Sequence, residues 1–160
     1  MPKSLNLPPL ALVIDDDHLA GLLYARALEK LSLQVKISDT RWKAIQLAEL
    51  HAHRIVLMLV DVVLAPPDLQ MQGDFRGRVE DGARLLSLLK YLCPNAIAVQ
   101  MSAYSLGELA GNGYQLVQTL QFLQKPFTGG MLREHIQKLL PDLQVPRNPI
   151  LPVSDVTWTG

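Results

Sequence analysis

Three successive carboxylates, Asp15, Asp16 and Asp17, close an apolar run that begins at Leu10. Like charges side by side repel, so a cluster at the mouth of a core element costs stability unless a cation or a special ligand offsets it. A further acid, Asp61, interrupts the apolar stretch RIVLMLVDVV (Arg54 to Val63), where an unpaired charge is expensive. Ser102 ends the stretch AIAVQMS and Lys125 follows LQFLQ. Carboxylates, a hydroxyl and an ammonium group are the groups that hold a hard divalent cation and a phosphoryl group. Mg2+ takes oxygen ligands in octahedral order and keeps several waters, so two or three carboxylates plus a carbonyl are the right supply. A carboxylate in such a site attacks phosphorus to form an acyl phosphate, provided metal and cation neutralise the phosphoryl oxygens. Asp61 is the candidate nucleophile, Lys125 the counter-charge and Ser102 the hydrogen-bond donor.

These residues act together only if the fold gathers them. Leu10 to Ile14 is a short β-rich run, and Leu19, Leu22, Leu23, Ala27 and Leu31 then recur at helical spacing. LQVKIS (Leu33 to Ser38) predicts a second strand, Asp39 or Thr40 a helix cap, and Ala44, Ile45, Leu47 and Ala48 a buried helix face. The unbroken apolar character of Arg54 to Val63 predicts a central strand covered on both faces. A third helix from Asp81 (Ala83, Leu85, Leu86, Leu88, Leu89, Leu92) and the strand AIAVQMS follow. A weaker helix runs from about Ser105 to Val117, where Gly107, Gly111 and Gly113 each cost roughly 1 kcal/mol against alanine. Leu120 to Gln124 is a last short strand, and Thr128 opens a helix with Leu132, Ile136, Leu139 and Leu140 on its apolar face, ended by Pro141.

Five strands alternating with five helices predict an α/β fold, a doubly wound parallel sheet with helices on both faces. In such sheets ligands sit beyond the carboxyl ends of the strands, near the point where strand order reverses. Asp15 and Asp16, Asp61, Ser102 and Lys125 all fall at that rim. Two stretches break the alternation: the polar connection from Leu64 to Glu80, and a tail from Pro141 to Gly160 that carries Pro141, Pro146, Pro149 and Pro152. The predicted organisation is an N-terminal extension over 1–9, a domain over 10–140 with 64–80 as an inserted loop, and a tail or linker over 141–160.

The 160 residues suffice for one domain with a sizeable core, and a hydrophobic fraction of 49% with 19% charged residues is that of a globular protein. Fifteen Lys and Arg balance fifteen Asp and Glu without a basic stripe, which argues against nucleic acid as a partner. No apolar segment has the length of a membrane span, and prolines stand where a signal peptide would be apolar, so a soluble cytoplasmic protein is expected. The single cysteine, Cys93, makes no internal disulfide and reads as a packing residue at a helix end.

LVIDDD, LMLVDVVL, AVQMSAY and FLQKPF, in this order and on these elements, resemble the four signatures of the response-regulator receiver domain, the phosphoacceptor of two-component signalling. The resemblance covers about Leu10 to Leu140. It implies a flavodoxin-like fold in which Asp15, Asp16, Asp61 and the carbonyl of Val63 hold Mg2+. It implies that Asp61 is phosphorylated by a histidine kinase or a histidine phosphotransfer protein. Ser102 and Lys125 would bind the phosphoryl group, Ser102 and Phe122 would form the switch, and Val63 and Tyr104 occupy the positions that tune hydrolysis. A bulky apolar pair there implies slow autodephosphorylation. The expected protein is a signalling switch rather than an enzyme. Its output would be a downstream target or a second copy, bound through the fourth helix, fifth strand and fifth helix. The Lys125-Pro126 pair resembles the family signature, including its frequent cis bond.

The sequence departs from the family pattern at Ala65, where proline is usual, in the long connection before Asp81-Gly82, and at Gln118 and Thr119, where a Gly-Ala pair is usual. Residue by residue, plainer readings exist. Asp17 is a helix N-cap, Tyr24 and Trp42 are packing residues, and Phe122 can be a plain core aromatic. His18, His51, His53 and His135 are solvated, and Arg76 and Arg78 lie on a solvated loop. Two other classes compete with the switch: a receiver-like interaction module that works without phosphorylation, and a metal-dependent phosphatase. Val63 opposes the phosphatase, because a second acid is expected two residues after its nucleophile.

Overall fold

The computed structural model describes residues 7–64, 80–112 and 121–143. Most of the connection 64–80, the end of the weak fourth helix with Gly113 and Val117, residues 1–6, Leu120 and most of the tail lie outside them. So do Gln118, Thr119, Arg76 and Arg78.

The element order is β1 (Leu10–Ile14), α1 (His18–Glu29), β2 (Gln34–Ser38), α2 (Arg41–His51), β3 (Ile55–Asp61), β4 (Val63–Leu64), β5 (Glu80–Asp81), α3 (Gly82–Leu92), β6 (Ile97–Ser102), α4 (Leu106–Gly111), β7 (Gln121–Gln124) and α5 (Gly129–Leu139). Five strands form one sheet in the order β2-β1-β3-β6-β7, and every neighbouring pair in it is parallel. Strand order reverses between β1 and β3, so a crevice opens past their carboxyl ends.

Period-two side-chain alternation divides the core into two layers. Leu10, Leu12, Ile14, Met58, Val60 and Ala98 pack under α2 and α3, against Ala44, Ala48, Leu85, Leu86 and Leu89. Ala11, Val13, Leu57, Leu59, Val99 and Met101 pack under α1 and α5, against Tyr24, Ala27, Leu28, Leu132 and Ile136. Cys93 is buried at the end of α3, its Sγ 3.8 Å from the Ala48 carbonyl oxygen. Helix starts are set by short polar side chains that satisfy free N–H groups. Thr40 accepts from Lys43 at 3.2 Å and Thr128 from Met131 at 3.1 Å, while Ser105 and Glu108 form a reciprocal capping box.

Three sequence expectations need correction. The buried face of α1 is Gly21, Tyr24, Ala25, Ala27 and Leu28, whereas Leu19 and Leu23 are exposed. A Cβ at Gly21 would lie 3.0 Å from Ile37 Cγ2, so glycine sets how closely α1 approaches β2, and that approach fixes the helix phase. Second, β3 ends at Asp61; the chain bends at Val62, and Val63–Leu64 pair antiparallel with Glu80–Asp81. The long connection therefore starts and ends in a two-residue ladder beside the rim. Third, Trp42 is exposed rather than packed, and His135 is half-buried, with no hydrogen-bond partner for its Nε2 among the described residues. At the opposite end of the sheet, Pro9 is hydrogen-bonded to Gln34 and Pro8 to Arg54, so residues 8–9 dock on the fold.

Candidate functional site

Asp15 is the first residue after β1 and is fully buried. Its N–H donates to the Ser38 carbonyl at 3.1 Å, which ties it to the end of β2. One carboxylate oxygen, Oδ1, accepts from the Asp17 N–H at 2.9 Å. Asp17 caps α1, accepting from Leu19 and Ala20 at 3.1 and 3.2 Å. The acidic triplet is thus split by function: one acid points into the rim, one caps the helix, and Asp16 between them is exposed.

Asp61, the last residue of β3, is 7% exposed. Its Oδ1 accepts from the Val63 N–H at 2.9 Å, so the bend after β3 orients the carboxylate. Lys125 reaches the same place from the end of β7. Its backbone N–H donates to the Ser102 carbonyl at 2.8 Å, and the following Lys125-Pro126 bond is cis. The Lys125 Nζ lies 2.6 Å from Asp15 Oδ2 and 2.9 Å from Asp61 Oδ2. Charge-assisted bonds of this length in a buried setting are strong and directional.

The electrostatics follow from one cation serving two acids. Burial raises the Asp61 carboxyl from its ordinary 3.8 to about 6, although Lys125 pulls it down; the Asp15 charge adds to the rise. Burial alone would lower the Lys125 ammonium, but its hydrogen bond to Asp15 and the Asp61 charge more than offset this, and it is raised. The lysine therefore stays charged across any biological pH.

Oxygens of Asp15, Asp16 and Asp61 all lie within 4.8 Å of one another. Three hard oxygen donors at this spacing, two on a buried wall and one on the open side, suit a small divalent cation that keeps waters.

The other expected residues take distinct places. Ser102 is buried at the end of β6, and its hydroxyl accepts from the Tyr104 N–H at 3.0 Å. Among the described residues, the hydrogen bonds that join Lys125 to the two acids do not include that hydroxyl. Phe122 is half-buried in β7, in register with Gln100, two rungs before Ser102. Leu123 packs in the layer under α1 and α5, so alternation turns Phe122 to the other face, the one Ser102 shares. Val63 is half-buried in β4, and Tyr104 is exposed beyond β6.

Tyr24 was expected only to pack, yet its ring stands at the site. Lys125 Nζ is 5.8 Å from the ring centroid, and the ring stacks on Phe127 at 5.0 Å with a 29° interplanar angle. Burial raises the phenol, so it is neutral. Nothing local in the sequence links Tyr24 to the distant Lys125; only the packing of α1 against α5 and the segment before it does.

No protein-family model matches the chain, and no curated protein matches it by sequence. Many solved structures match by fold, and they include receiver domains of response regulators. A response regulator from Thermotoga maritima is 25% identical with a TM-score of 0.60, covering 84% of this chain and 99% of that one. A CheY-like receiver domain protein from Methanospirillum hungatei JF-1 is 22% identical with a TM-score of 0.61, covering 86% and 97%. A response regulator from Burkholderia pseudomallei, solved with a phosphorylated aspartic acid, a calcium ion and citrate, is 23% identical with a TM-score of 0.54, covering 85% and 66%. The fold is the flavodoxin-like fold of receiver domains, and the likeness to the Thermotoga maritima response regulator supports a receiver role in two-component signalling. No helix among the described residues is long and apolar enough to cross a membrane.

Proposed function

We propose that this receiver-like chain is a phosphoacceptor switch that takes a phosphoryl group onto Asp61 from a phosphohistidine on a histidine kinase or phosphotransfer protein. The observation that carries the reading is the single Lys125 ammonium bridging Asp15 and Asp61 beside an open third acid, Asp16. An oxygen of Asp61 forms a bond to phosphorus as the bond from phosphorus to the imidazole nitrogen breaks, and the departing imidazole keeps the electron pair and takes up a proton. Mg2+, held by Asp15, Asp16, Asp61 and the Val63 carbonyl, would supply the positive charge that neutralises the phosphoryl oxygens.

The chain's own groups do the rest. Lys125 trades its bond to Asp61 for one to a phosphoryl oxygen. Ser102 turns its hydroxyl from the Tyr104 N–H towards the phosphoryl group, and Phe122, on the same face, moves into the space released; the local charge biases a two-state element. The changed surface is α4, β7 and α5, open to a downstream target or a second copy. The working unit is 10–140, with 64–80 as its inserted connection and 141–160 as its tail or linker, acting in the cytoplasm. Val63 and Tyr104 flank the approach of water and make hydrolysis of the acyl phosphate slow.

Incubation with acetyl phosphate and Mg2+, followed by intact mass, tests the reading. One added phosphoryl group, absent in Asp61→Asn and persisting for minutes or longer after donor removal, is expected. No mass gain would leave the fold as an interaction module working without phosphorylation. A lifetime of seconds would overturn the roles of Val63 and Tyr104.

A further inference from the structure

Lys125 is approached by two carboxylates, yet a lysine side chain has four rotatable bonds, and ion pairing alone leaves it several ways to meet both acids. Its remaining side is occupied by an aromatic face. Tyr24 is 8% exposed; its ring lies 5.8 Å from Nζ and is itself held by the stack on Phe127. Phe127 belongs to the same short segment as Lys125, so the ring is gripped by the loop whose lysine it supports. Tyr24 also lies on α1 two turns beyond Asp17, the residue whose N–H holds Asp15. One rigid helix therefore places both the first acid and the aromatic wall.

We propose that Tyr24 is a positioning residue for Lys125: its ring face confines the ammonium between Asp15 and Asp61, ready to meet a phosphoryl oxygen. The role rests on the phosphoacceptor reading given above. An aromatic face attracts a cation through its quadrupole, most strongly where water is excluded. An aliphatic side chain of similar size would shield the ammonium without drawing it to one position. The Tyr24 hydroxyl also interacts with Lys125; the positioning is assigned to the ring, and the phenylalanine variant tests that assignment.

Three variants separate these contributions: Tyr24→Phe keeps the ring, while Tyr24→Leu and Tyr24→Met keep bulk without it. Two measurements are made on folded protein: the single-turnover rate of Asp61 phosphorylation by acetyl phosphate at saturating Mg2+, and the NMR shifts of the Lys125 ε-methylene. The phenylalanine variant should phosphorylate within about twofold of the parent, and the two aliphatic variants about five- to tenfold more slowly. The ring current should move the Lys125 ε-methylene upfield in the parent and the phenylalanine variant but not in the aliphatic ones. A purely structural tyrosine would lower the melting temperature of the aliphatic variants and leave their rates per folded molecule unchanged, which would overturn the proposal. Lys125 shifts that do not respond to loss of the ring would overturn it as well. The NMR readout needs no phosphorylation. A parent that accepts no phosphoryl group while its Lys125 shifts follow the ring would defeat the phosphoacceptor reading and keep the placement.

Discussion

The elevated Asp61 carboxyl makes a thermodynamic claim that needs no phosphodonor. A group that binds its proton more tightly in the folded state than in the unfolded one stabilises the fold when protonated and loses that contribution as pH rises. For Asp61 the window runs from the ordinary value of 3.8 to about 6. Within it the folded state binds more protons than the unfolded state, so stability falls with rising pH; above about 6 this group adds no further slope. At about 1.4 kcal/mol per pH unit, ionising Asp61 inside the fold costs on the order of 3 kcal/mol. Replacing it by asparagine removes the buried charge. The amide oxygen can still accept from the Val63 N–H, and Lys125 keeps Asp15. Loss of the bond between Lys125 and Asp61 is already counted, because the value of about 6 includes the downward pull of Lys125.

We therefore expect Asp61→Asn, in the presence of a chelator at pH 7.5, to be more stable than the parent by about 1–3 kcal/mol. For a domain of this size that is a rise in Tm of roughly 3–12 °C. Urea unfolding followed by circular dichroism at half-unit steps from pH 4 to 8 measures it. The gain should shrink steadily below about pH 6 and be small near pH 4, where Asp61 of the folded parent is neutral, and groups common to both cancel in the difference. A variant less stable than the parent at pH 7.5, or a difference that does not change with pH, would refute the account of Asp61 as a charge the fold tolerates at a cost.

Two further outcomes follow from the same geometry. Mg2+ at ten times its dissociation constant should stabilise the parent by about 1.4 kcal/mol through binding only to the folded state. Asp16→Asn should lose that gain with little change in metal-free stability because Asp16 is exposed; an equal Mg2+ shift in the variant would count against Asp16 as a ligand. The corrected phase of α1 predicts that Leu23→Glu changes stability by less than about 0.5 kcal/mol, whereas Leu28→Ala costs about 2–5 kcal/mol. Reversal of that order in denaturant titrations would restore the phase read from the leucine spacing.

What was legible in the sequence is what a short window contains. A charge inside an otherwise apolar run marks Asp61 without any fold, because an isolated carboxylate there has no local excuse. The alternation of strand and helix then brings the rim together through the switch-point rule. The phase of α1 was only partly legible: Ala27 and Leu31 are buried as the spacing suggests, but Leu19 and Leu23 are exposed while Gly21 and Tyr24 face inward, with Gly21 in close approach to Ile37. A two-residue ladder such as β4 with β5 is too short to leave a period. Asp15 and Asp16 are identical neighbours in sequence, and only strand geometry makes one buried and the other open. The support of Lys125 by Tyr24 is a contact between distant parts of the chain, which no local pattern records.

Three acids stand at the rim, and access decides among them which can serve as nucleophile. Asp15 is sealed from solvent, and both its oxygens are engaged, by the Asp17 N–H and by Lys125. An incoming phosphorus would have to displace the α1 turn to reach it. Asp16 is exposed and offers an oxygen within 4.8 Å of those of the other two, so it suits a metal held on the solvent side. Like Asp15, Asp61 is held by a backbone N–H, that of Val63, and by Lys125, and it differs from Asp15 in keeping an opening to the rim. Its charge is also poorly solvated, and a desolvated carboxylate is the more reactive one towards an electrophile. On the proposed reading, the property that makes Asp61 costly to fold would also equip it to receive a phosphoryl group, whereas Asp15, sealed from solvent, would anchor the cations around it.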